Sequence, residues 1–177
     1  MNHPIDEQPL PLSPGERPPV PGAVKVGSVD MAERRRSART KARKAALDIL
    51  FEADLLGHDP FTSLALRLDD PELIVREFTR ELVLGVRDNA AEIDQRISSA
   101  TVTQWPIERM PRVDRNLARI AIYELDHTSI ATSAAISEAL ELADDLSTDE
   151  SVVFLNGLLG RAAKTRPGKA DDGDSGT

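Results

Sequence analysis

Cysteine is absent from the 177 residues. That excludes disulfides, thiolate nucleophiles and Cys-ligated zinc, and it fits a reducing cytoplasm. Aromatic side chains make up 3% of the chain, low for a sheet-rich fold. No run of 18 or more apolar residues occurs, so no segment is expected to span a bilayer as a helix. The amino terminus shows neither the basic nor the apolar region of a secretory signal. Positive charge is in the minority, with 22 Lys+Arg against 30 Asp+Glu and a net charge of −8, a balance that ordinarily argues against polyanion binding. The three histidines, His3, His58 and His127, form no metal-binding spacing. The run Gly157-Leu158-Leu159-Gly160 lacks the Gly-Lys-Ser/Thr ending and the preceding strand of a phosphate loop. Acidic pairs such as Asp69-Asp70 and Asp144-Asp145 adjoin expected helix ends and read as solvated charge. Neither catalysis nor a cofactor or metal is expected.

What is present is unevenly distributed. Seven of the 12 prolines fall within residues 1–30, a stretch too polar and proline-rich to offset its ordering entropy. Residues 1–33 are therefore expected to form a disordered leader, residues 165–177 a disordered polar tail, and residues 34–164 one helical domain. Within that domain Ala42, Ala46, Ile49 and Ala53 recur at helical spacing, with Gly57 placed to stop the helix. Asp59-Pro60 and Asp70-Pro71 each set a capping carboxylate before a first-turn proline, predicting helices near 60–68 and 71–86. Val75, Phe78, Leu82 and Val86 form the apolar stripe of the second. Gly85 marks a bend, after which Ala90, Ile93 and Ile97 continue the period. Pro106 and Pro111 precede a helix striped by Val113, Leu117, Ile120 and Tyr123 or Glu124, and another helix spans about 133–146. Ser147 with Glu150 reads as a capping box opening a last helix to about Ala163. The fold class is all-α, a compact bundle of about seven helices.

The positive charge concentrates in one segment. Residues 31–44, MAERRRSARTKARK, hold seven basic side chains and one acid, whereas residues 45–164 hold 11 basic and 22 acidic. Once helical, Arg36, Arg39 and Arg43 share a face, widened by Arg35, Lys41 and Lys44. Arginine suits RNA because its planar fork grips phosphate bidentately and stacks on a splayed base. A solvated helix end, with the cations paired to the chain's many carboxylates, is the competing explanation.

The segments ARTKARKAALDILFEADL, ELVLGVRDNAAEIDQRI, VDRNLARIAIYEL and ISEALELADDLSTDESVVFLNGLLGRAA resemble the bacterial transcription antitermination factor NusB family over about residues 37–163. The resemblance implies an all-helical, non-catalytic protein of the cytoplasm acting at ribosomal RNA operons. It would bind the boxA segment of the nascent transcript together with NusE, a small-subunit ribosomal protein, and meet the RNA polymerase elongation complex indirectly. Carried over residue by residue, the family's arginine-rich motif falls on Arg39, Lys41 and Arg43, extended upstream by Arg34, Arg35 and Arg36 and flanked by Lys44. Glu150, Phe154 and Asn156 match the final-helix positions beside the RNA path. Phe154 serves either base stacking or core packing, and Glu150 has a capping role available. Phe51 and Asp114 match positions that face NusE, with burial the alternative for Phe51 and a helix-dipole role for Asp114. Thr40 interrupts the family's arginine run, removing one phosphate contact.

Two other functions remain in view. A protein-interaction module would use the basic stripe to dock an acidic partner. A NusB-like domain also fronts RNA cytosine methyltransferases, but this sequence leaves no room for a cofactor-binding α/β domain after the bundle. The family includes monomers and dimers, so a homodimer stays open.

Overall fold

A computed structural model describes residues 37–102 and 106–167. The expected disordered leader, Arg34 to Arg36, and residues 168–177 of the tail lie outside them. Among the described residues there are seven α-helices, one 3-10 turn and no strand, as the all-α expectation requires. The helices are α1 (Ala38–Leu56), α2 (Pro60–Leu68), α3 (Glu77–Asp88), α4 (Ala90–Ala100), α5 (Arg112–His127), α6 (Thr132–Leu146) and α7 (Asp149–Lys164), with the 3-10 turn at Ile107–Arg109. None is long and apolar enough to cross a membrane.

Local chemistry accounts for several boundaries. Gly57 ends α1 in the left-handed region, at φ 69°, which costs glycine nothing. The Asp59 carboxylate accepts from the Phe61 amide at 2.7 Å and opens α2, with Pro60 in its first turn. The same dipeptide chemistry fails at Asp70-Pro71. Asp70 accepts from the Glu72 amide at 2.9 Å, but the result is an isolated turn, and α3 begins only at Glu77. Leu73 and Ile74 there are exposed, so no apolar face recruits the turn into a packed helix. Gly85 does not bend the chain: α3 runs through it, and the break falls at Asn89. Gly85 instead admits the Tyr123 ring, whose Cζ lies 2.1 Å from where a Cβ would stand.

Helix α5 is the hub, packing against α1, α3, α4, α6 and α7. Leu82, Ile93, Ile97, Leu117, Ile122, Leu125, Leu142, Leu155, Leu158 and Leu159 fill the core around it, each under 2% exposed. Polar ties join elements distant in sequence. Arg115 reaches Asp54 at 2.6 Å and the carbonyls of Ile107 and Glu108. Arg96 pairs with Asp126 at 2.7 Å and donates to the Ala162 carbonyl and the Thr165 hydroxyl. Arg166 donates to the Thr128 carbonyl, so the first residues of the expected tail are held to the bundle.

Candidate nucleic-acid interface

The cationic start of α1 is built against local electrostatics. A helix amino terminus carries partial positive charge, and each cation near it is unfavourable by roughly 0.3–1 kcal/mol at low ionic strength. Helix α1 has no acid in its first turn, yet Arg39, Lys41, Arg43 and Lys44 crowd its first two turns. The compensating carboxylates come from other helices. Glu124 of α5 receives Arg43 bidentately, Nε to Oε2 at 3.0 Å and Nη2 to Oε1 at 2.7 Å. Glu138 of α6 lies 3.2 Å from Arg43 Nη1 and accepts from the Thr40 hydroxyl at 2.8 Å. From α3, Thr79 donates to the Ala42 carbonyl at 3.1 Å. The ring of Phe78 lies 5.0 Å from the Arg39 guanidinium and 5.2 Å from that of Arg43, within cation–π range.

This arrangement divides the predicted RNA residues. Arg43, expected on the RNA-contacting face, is 3% exposed, and its guanidinium is paired with two carboxylates inside the fold. Thr40, likewise buried, faces Glu138. Arg39 and Lys41 flank Thr40 and are exposed, and Lys44 is half-buried and pairs with Asp48 at 3.1 Å. Burial pushes the Glu124 carboxyl above its ordinary range, with Arg43 pulling the other way.

The start of α7 follows the local rules. Thr148 caps it, its hydroxyl accepting from the Ser151 amide at 3.2 Å, and Asp149 and Glu150 lie in the first turn, where the dipole favours them. The cap thus falls one residue after the expected Ser147, and residue 151, three on from Thr148, is a serine and not the Glu of a capping box. Ser147 does not cap; its hydroxyl donates to Asp114 at 2.7 Å, and Ser151 donates to the other Asp114 oxygen at 2.7 Å. Asp114, expected on a partner-facing surface, is 3% exposed and accepts from both serines at the α6–α7 corner. Glu150 and Asn156 are exposed. Phe154 is half-buried against the core and, with Asp149, Glu150 and Val153, lines a shallow hollow. The two readings of Phe154 thus meet in one side chain, part packed and part accessible.

Sequence reasoning missed Val153, 74% exposed beside Phe154, and the anchoring roles of Glu124 and Glu138. It also missed an apolar surface at the far end of α1. Phe51 is half-buried, and Leu55, one turn on, is exposed with Leu56, Phe61, Leu66, Leu73 and Ile74. Among the described residues, no group of His, Cys, Asp and Glu is arranged to hold a metal ion.

Residues 40–164 match the NusB family. The chain is 47% identical over 136 residues to the transcription antitermination protein NusB of Cutibacterium acnes; the match covers 77% of this chain and 52% of that protein, so the chain spans about half the length of that relative. It is 42% identical over 135 residues to the NusB of Nocardioides sp., covering 76% of this chain and 99% of that one. With the NusB of Salinispora tropica it shares 50% identity over 131 residues, 72% and 96% of the two chains. Among solved structures, NusB of T. maritima superposes with a TM-score of 0.66 at 31% identity, over 73% of this chain and 93% of that one. A crystal structure of antitermination factors NusB and NusE in complex with dsRNA shares the fold, with a TM-score of 0.64 at 24% identity over 72% and 96%.

Proposed function

The chain belongs to the NusB family, a family of transcription antitermination proteins and not of enzymes, and on that premise we propose that it is a cytoplasmic antitermination factor binding single-stranded boxA RNA of nascent ribosomal RNA transcripts. NusE is its protein partner, and the RNA polymerase elongation complex is reached through the assembly. The observation that carries the RNA half is the outward placement of Arg39 and Lys41 at the start of α1, on a helix whose roll is fixed by Arg43 beneath them. Phosphates meet those cations and Lys44, and Arg34 to Arg36 extend the contact upstream. A base reaches the Val153–Phe154 hollow on α7, and Asn156 adds a polar edge. The partner half is supported by Phe51 and Leu55, one turn apart at the apolar end of α1, and by an acidic body suited to a cationic ribosomal protein.

Filter binding with boxA RNA, a scrambled RNA and added NusE tests the reading. Preference for boxA, enhanced by NusE, is expected. The double charge reversal Arg39→Glu/Lys41→Glu weakens boxA binding while leaving helicity and melting intact. Three engaged cations give a slope of log affinity against log salt of about −2, and upstream contacts steepen it. Equal weak binding to both RNAs, with or without NusE, would instead favour a protein-docking module, for which the exposed apolar end of α1 and α2 is the supporting observation.

A further inference from the structure

Position 40 breaks the run of cations at the start of α1, and a missing phosphate contact is the simple consequence. The geometry gives Thr40 a different task. Thr40 and Arg43 are three residues apart, so they share one face of α1, and both are buried. Their side chains converge on one carboxylate, that of Glu138 on α6: the Thr40 hydroxyl donates to Oε2 at 2.8 Å, and Arg43 Nη1 lies 3.2 Å from the same oxygen. Arg39 and Lys41 lie about 100° to either side of Thr40 around the helix; both are exposed, Arg39 with its guanidinium over the Phe78 ring. The helix start has no first-turn acid and carries like charges. Left to local interactions, its first turn would fray. Glu124 holds the second turn through Arg43; Glu138 is the carboxylate that reaches back to the first.

Resting on the RNA reading above, we infer that Glu138 is a positioning residue for RNA binding: through Thr40 and Arg43 it keeps the first turn of α1 wound and rolled so that Arg39 and Lys41 point outward. It touches no nucleotide in this role. A carboxylate beside an RNA path should repel phosphate, and the Glu138 side chain is 23% exposed. Removing its charge should therefore tighten RNA binding if electrostatics alone acted, and weaken binding if positioning dominates. The sign of the effect separates the two.

The test uses the full chain, first unaltered, then as Glu138→Ala, Glu138→Gln and Thr40→Val. Each is titrated with the boxA oligonucleotide and a scrambled control at fixed salt, melted thermally, and followed by amide hydrogen exchange. Glu138→Ala should weaken boxA binding about five- to tenfold and speed exchange of the amides at 42–45 about tenfold, with exchange in α4 and α7 unchanged. Glu138→Gln keeps an acceptor for Thr40 and should recover part of both losses. Thr40→Val keeps the shape and removes the hydroxyl, and should reproduce the direction of Glu138→Ala; it carries the test should Glu138→Ala unfold. Unchanged or tighter binding in Glu138→Ala, or unchanged exchange at 42–45, overturns the inference. An unaltered chain that binds boxA no better than the scrambled control overturns the antitermination reading itself, before any variant is made, and this role with it.

Discussion

The amino-terminal ends of α1 and α7 solve the same problem in opposite ways. Helix α7 carries its own solution in sequence: a threonine cap and two acids in the first turn. Helix α1 presents cations where the dipole disfavours them, with no first-turn acid, and takes its negative charge from α5 and α6. The difference has a functional sense. A helix start that neutralised itself locally would offer phosphates nothing, whereas one stabilised from behind keeps its outer cations free to meet a polyanion. Self-sufficiency and display are alternatives, and each end shows one of them.

The largest test of this contrast is Arg43→Ala, which leaves Glu124 buried, 1% exposed and without its guanidinium. A loss of about 3–5 kcal/mol is expected from urea unfolding, and replacing both partners with apolar residues of similar volume should recover most of it. Next comes Asp114→Ala, which removes the acceptor for Ser147 and Ser151. The two hydroxyl oxygens, 2.8 Å apart, retain each other, so a loss of about 2 kcal/mol is expected, seen as a lower melting temperature. Thr148→Ala removes only a local cap and should cost about 1 kcal/mol. Were Thr148→Ala as damaging as Arg43→Ala, the contrast between local and borrowed stabilisation would fail.

Acidity supplies the finest distinction. Burial raises the Glu124 carboxyl, so the folded state binds that proton more tightly than the unfolded one. Its contribution to stability is full below the ordinary carboxylate range and declines as pH rises through the raised folded value. Hydrogen bonds from Arg67 and Ser63 lower Glu52, so its contribution is present above the ordinary range and is lost on acidification. Urea midpoints followed from about pH 3 to about pH 7 should show the unaltered chain losing ground to Glu124→Gln as pH rises. Against Glu52→Gln it should lose ground as pH falls.

These two ends also explain what could be read without coordinates. The cap at Asp59, the stop at Gly57 and the stripe of α5 are local, so the helix order followed from neighbours a few residues apart. Asp70-Pro71 carried the same local signal without a packed face to extend it, and no nearby residue could say so. Ser147 was a plausible cap until Asp114, 33 residues away, claimed its hydroxyl. Arg43 looked like part of the cationic face because its partner Glu124 is 81 residues distant. One signal was available: Arg43, Leu47 and Leu50 are spaced four and three apart, placing the arginine on the apolar face. The cationic segment, Asn156 and half-buried Phe154 were legible as candidates; which cations face outward was a property of the assembled bundle.

One missing methyl group governs more than its own surroundings. With the Tyr123 ring seated on Gly85, α3 and α5 meet like a key in a notch, and neither helix can slide along the other by a turn without driving that ring into a bulkier neighbour. Phe78 rides on the same helix seven residues earlier, about 10 Å along its axis. The platform beneath Arg39 is thus indexed to α5 by a hydrogen atom where any other amino acid would place carbon.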